Sequence, residues 1–146
     1  MLKKLAGATA VFMMAVVFVF SPAAYADTEY GPASWRTEDG KYELTFTTTT
    51  SENDVQVSVW DLYKVHKTSG AQSSTNADSL QVRLCNTSTG NCTAYKTFYV
   101  ENHLPPIYYY QIFTNMKPGT YYVDIRDNLA DYYVKGKVSA WTNNYY

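Results

Sequence analysis

Apolar and polar side chains alternate with period two along most of this chain beyond residue 40. Tyr42, Leu44 and Phe46 share one face of a segment whose other face is Glu43, Thr45 and Thr47. Val55, Val57 and Val59 alternate with Gln56, Ser58 and Trp60, and the segment runs on to Val65. Leu80, Val82 and Leu84 alternate with Gln81, Arg83 and Cys85. Period two is the spacing of a β-strand with one buried face. Residues 107–113, 121–126 and 132–141 extend the series, the last interrupted by Gly136, where a bend or bulge is expected. A short strand around Ser34-Trp35-Arg36 and a return strand over 92–100 bring the total to about eight. Turn signals separate these segments, among them Glu38-Asp39-Gly40, Thr87-Ser88-Thr89-Gly90 and Asp127-Asn128. Residues 68–78 are small and polar and read as a long mobile loop. Beyond residue 26 no stretch has the i, i+3, i+4, i+7 spacing of an amphipathic helix. The pattern therefore predicts a single all-β domain, an antiparallel β-sandwich of about eight strands, immunoglobulin-like or jelly-roll-like.

The first 26 residues follow different rules. Lys3 and Lys4 precede an uncharged apolar run, Ser21-Pro22 ends it, and Ala24-Tyr25-Ala26 places small residues at the two positions a signal peptidase inspects. This order predicts a cleaved signal peptide over 1–26, a secreted domain over 27–146, extracellular or periplasmic, and no membrane attachment after cleavage. Removing the first 26 of 146 residues leaves 120, one domain's worth. Without Lys3 and Lys4 the 12 basic residues fall to 10 against 13 acidic ones, a net charge of −3. That balance argues against a nucleic-acid partner, which needs a basic stripe to neutralise phosphates.

Composition reinforces the strand pattern, with 15 Tyr, 6 Phe and 3 Trp against 7 Gly and 5 Pro. In an oxidising compartment the two cysteines, Cys85 and Cys92, are expected to form a disulfide. A turn centred between Ser88 and Thr89 would set them directly opposite each other across a hairpin, whereas a bulge at Gly90 would shift the register by one residue and still allow the bridge. The segment Met116-Lys-Pro-Gly-Thr-Tyr-Tyr-Val-Asp-Ile-Arg126 resembles the strand entry of secreted bacterial β-sandwiches, most of all the pre-peptidase C-terminal type domains carried by exported hydrolases. The resemblance covers the final third of the chain. It implies a Tyr-rich penultimate strand followed by one last strand, here 132–141. The cysteine hairpin departs from that family, as does the expectation of a single domain over 27–146 with no enzyme attached.

No motif for catalysis is present. His66 and His103 are the only histidines, no Gly-x-Ser-x-Gly elbow occurs, and both cysteines are committed to the bridge. The expectation is a non-enzyme without cofactors. Asp124, Asp127 and Asp131 form the densest acidic cluster and are the candidates for a weak Ca²⁺ site, with solvated turn residues as the plainer reading. The aromatic surplus carries the main functional expectation. Strand alternation turns some rings of Tyr108, Tyr109, Tyr110, Tyr121, Tyr122, Tyr132 and Tyr133 outward, where they can stack on sugars or anchor a protein. The chain thus reads as a non-catalytic binding module for an extracellular glycan or protein. The alternative is a small effector or inhibitor that presents the stapled hairpin 85–92 to a protein partner.

Overall fold

The computed structural model describes residues 27–144, so the expected signal segment lies outside the described residues. Ten strands occur there: β1 (Thr28–Arg36), β2 (Leu44–Thr48), β3 (Asp54–His66), β4 (Gln72–Ser74), β5 (Leu80–Asn86), β6 (Lys96–Thr97), β7 (Tyr99–Val100), β8 (Tyr109–Phe113), β9 (Gly119–Asp127) and β10 (Tyr132–Asn143). They form two antiparallel sheets. One, sheet A, has the order β1-β10-β3-β8-β7, with β4 added beside β3. The other, sheet B, has the order β2-β9-β5-β6. The chain is an all-β domain of two packed sheets.

The alternating valines make this packing. Val55, Val57 and Val59 of β3, Val138 and Ala140 of β10, and Tyr109 and Phe113 of β8 turn inward from sheet A. Phe46, Leu80, Val82, Leu84, Tyr121, Val123 and Ile125 meet them from sheet B. Each fully buried Val or Leu of this kind contributes about 1.5–3 kcal/mol.

Several local expectations are corrected. Ten strands replace eight, because the polar stretch 68–78 holds β4, and the return from the cysteine hairpin splits into two-residue strands. β6 pairs with β5 in sheet B and β7 pairs with β8 in sheet A, so the chain changes sheets between Thr97 and Tyr99. The short strand expected at Trp35 is the end of the nine-residue β1. Tyr42 does not share the inward face of Phe46. It is 52% exposed and stacks on Tyr122, with ring centroids 4.3 Å apart and planes 5° apart.

The bend at Gly136 is a bulge between Lys135 and Lys137, next to the rung where Lys137 faces Trp60. Opposite it on β3, Asp61 takes a positive φ of 52°. Trp60 points outward, Asp61 absorbs one step of the alternation, and Leu62 returns to the core. Gly136 is required by proximity. A Cβ there would stand 2.8 Å from the Trp60 carbonyl oxygen and 2.8 Å from Leu62 Cδ2.

Candidate functional site

The outer face of sheet A carries a trough of about 500 Å³. Its floor comes from a pattern that occurs twice in the sequence, Ser58-Val59-Trp60 on β3 and Ser139-Ala140-Trp141 on β10. Val59 and Ala140 are core residues, so Ser58, Trp60, Ser139 and Trp141 face outward. Ser58 lies directly opposite Ser139. Because the strands are antiparallel, the two tryptophans lie beyond this pair in opposite directions. Trp141 is on the rung of Gln56, four residues from Trp60, so the tryptophan positions are about 13 Å apart along the strands.

Small hydroxyls in the middle and indoles at the ends make a trough instead of a flat face. Tyr108 packs beside Trp60, centroids 5.2 Å apart and planes tilted by 40°. Pro32 and Glu29 line the β1 side. Pro32 follows Gly31, whose φ of +100° belongs to a bulge between Tyr30 and Ala33. A Cβ on Gly31 would stand 2.9 Å from the Val138 carbonyl oxygen, so glycine permits this close approach of β1 to β10. Glu101 and Asn102 line the opposite side from the loop after β7. That loop is tied to the wall: the Glu101 N–H donates to the Tyr108 carbonyl over 2.9 Å, and the Tyr108 N–H donates to Asn102 Oδ1 over 3.2 Å. Gln56 Nε2 donates to Ser58 Oγ over 3.2 Å and presents its remaining amide atoms beside Trp141.

The seven candidate tyrosines do not form one platform. Tyr108 lines the trough, and Tyr110 lies on the same face opposite Ser58, 6.1 Å from Tyr99. Tyr109 and Tyr121 are corrected to core residues, 7% and 6% exposed. Tyr121 stacks on Phe46 and donates its hydroxyl to the Lys117 carbonyl over 2.9 Å. Tyr122 faces outward on sheet B. Tyr132 meets His66 edge-on at 5.1 Å, and Tyr133 lies under the Arg36 guanidinium at 4.8 Å. Alternation sends neighbours to opposite sides of a sheet, so a run of tyrosines cannot form one surface. The tryptophans that wall the trough were not among the sequence candidates. The repeated Ser-x-Trp was the signal for them.

The aspartates are also dispersed. Asp124 accepts a 2.6 Å ion pair from Arg83 Nε and a 3.0 Å hydrogen bond from the Tyr95 hydroxyl. Arg126 caps the Tyr95 ring at 3.6 Å and binds Gln81 Oε1, and the ion-pair partner of Asp124 is Arg83. Asp127 accepts from the Thr37 hydroxyl and from the Leu129 N–H. Among the described residues no group of three His, Cys, Asp or Glu side chains is placed to hold a metal ion.

Cys85 and Cys92 are bonded at 2.04 Å. The hydrogen bonds Thr93 N–H to Leu84 O and Asn86 N–H to Asn91 O flank them, which makes them a directly opposed, non-hydrogen-bonded pair. Asn86 Oδ1 takes the N–H groups of Ser88 and Thr89, closing the tip on itself. This hairpin extends sheet B, whereas the trough lies on the outer face of sheet A.

Beside the hairpin's sheet, Glu43 accepts the Ile125 N–H over 2.9 Å. Burial pushes its carboxyl up to about 8, with Asp124 and Asp39 adding to the rise and the backbone hydrogen bonds opposing it. No protein family matches this chain, and no curated protein is similar to it.

Proposed function

We propose that this chain is a non-catalytic, exported binding module whose trough takes an extracellular glycan. The observation that carries the reading is the antiparallel pair of Ser-x-Trp segments. Indole and phenol rings offer flat apolar area for the faces of sugar rings, and hydroxyls and amides between them match sugar hydroxyls. The strand pairings support it further. With β4 and β7 set aside, β1 pairs with β10, β2 with β9, β3 with β8 and β5 with β6, the nested order of a jelly roll. That architecture recurs in lectin domains, an analogy of fold only.

The test is retention on insoluble peptidoglycan, chitin, cellulose and de-acetylated chitin, comparing the protein with the variant Trp60→Ala/Trp141→Ala. Retention on at least one polymer, lost in the variant while its circular dichroism is unchanged, is expected. Equal retention by both proteins, or none by either, overturns the reading.

A second reading has one observation in its favour, the preformed hairpin tip. A loop already closed by a disulfide and by Asn86 enters a protein cleft with little ordering cost. Activity on a protein partner that vanishes on reduction would favour it over the trough.

A further inference from the structure

Deepening the glycan reading, on which it rests, we infer that the trough selects a cationic polysaccharide, an amino-sugar polymer with free amino groups. Besides its aromatic rings and Pro32, the trough is lined by two carboxylates, two amides and two serine hydroxyls, with no Lys or Arg. Glu29 shares a rung with Trp141 at one end. Glu101 is tied through its backbone to Tyr108, beside Trp60, at the other. The two carboxylates therefore sit at diagonally opposite corners, each with an aromatic neighbour.

Neither Glu29 nor Glu101 makes a salt bridge among the described residues, where the ion pairs are Lys67–Glu38 and Arg83–Asp124. The cation closest in register, Lys137 opposite Trp60, donates its amine to Ser34 Oγ over 2.7 Å. An ammonium group is attracted both by a carboxylate and by the face of an indole or phenol. Each end of the trough supplies that combination, and the two corners, about 13 Å apart along the strands and about 19 Å apart across the four strand spacings from β1 to β7, suit amines repeated along a run of several extended sugar units. The same two charges would repel an acidic polymer.

A polysaccharide fits better than a basic peptide. Extended peptides gain affinity by pairing with a free sheet edge. Here the floor belongs to β3 and β10, both paired on each side, so recognition falls to side chains on the sheet face. Flat rings stacking on flat rings is the contact such a face can make.

The test is tryptophan fluorescence titration of the purified protein with glucosamine oligomers, N-acetylglucosamine oligomers and cello-oligomers of equal length, and with an oligolysine peptide. Binding of the glucosamine oligomers is expected to be about tenfold or more tighter than that of the acetylated ones, near 1.4 kcal/mol. Glu29→Gln and Glu101→Gln are each expected to weaken the glucosamine complex several-fold and leave the acetylated complex unchanged. Equal binding of the three sugars, unaffected by either substitution, overturns the amine selectivity and keeps the glycan reading. Preference for oligolysine over every sugar overturns both, as does a failure of all four ligands to bind.

Discussion

Ser58 and Ser139 face each other across β3 and β10 on the outside of the sandwich, yet they are only 5% and 2% exposed. Outward residues become buried when their neighbours stand much taller. Here Trp60, Trp141, Tyr108 and Tyr110 surround two of the smallest polar side chains available.

Filling that floor separates the site from the fold. Ser139→Leu places four carbons between the tryptophans without touching the inward face. Glycan retention is expected to fall at least tenfold, about 1.4 kcal/mol, while the thermal midpoint does not drop. Retention assays and thermal melts on the same samples decide it. Undiminished retention in the leucine variant would place the ligand elsewhere.

Gly136→Ala is expected to destabilise the domain by about 1–3 kcal/mol, the usual range for an overpacked site. The new methyl would meet the Trp60 carbonyl and Leu62 Cδ2 at 2.8 Å, and the carbonyl belongs to a paired strand that cannot move aside. A shift of the urea midpoint with unchanged slope is the expected readout.

Stability is expected to decline as pH rises from about 5 to 8. The Glu43 carboxyl titrates near 8 in the fold, above its ordinary value of 4.5, so the folded state holds the extra proton across that interval. Where the native state binds more protons than the unfolded state, raising the pH favours unfolding. Glu43→Gln keeps an acceptor for the Ile125 N–H and is expected to flatten this slope. Urea midpoints at pH 5, 6.5 and 8 for both proteins test the assignment, and identical slopes would refute it.

Reduction of Cys85–Cys92, or replacement of both residues by Ser, is expected to cost about 2 kcal/mol, because the loop it closes is short. Circular dichroism should stay that of a β-protein, and retention on the glycan should persist, since the trough lies on the other sheet. Loss of retention on reduction would instead link the hairpin to binding.

The strand class, the core valines and the disulfide pair were legible in the linear order of residues, for a local reason. Alternation with period two marks a strand face wherever it occurs, and a turn over residues 87–90 brings Cys85 opposite Cys92 with no help from the rest of the chain. Other features depended on partners distant in sequence. The polar stretch 68–78 gains a strand only because the end of β3 offers Tyr63, Lys64 and Val65 for pairing. Tyr42 leaves the face of Phe46 because Tyr122 of β9 is there to stack on. Asp124 finds Arg83 forty-one positions away, across the β5–β9 ladder.

The candidate site divides the same way. The sequence by itself determined that Tyr109 and Tyr110 must part to opposite sides of a strand, and that Trp60 and Trp141 each stand two residues beyond a serine. Only the tertiary structure decided that these serines meet, because register between β3 and β10 is set by the fit of two hydrophobic faces and by the bulge at Gly136. Two ordinary tripeptides, 81 residues apart by the numbers of Ser58 and Ser139, become one trough through that register alone.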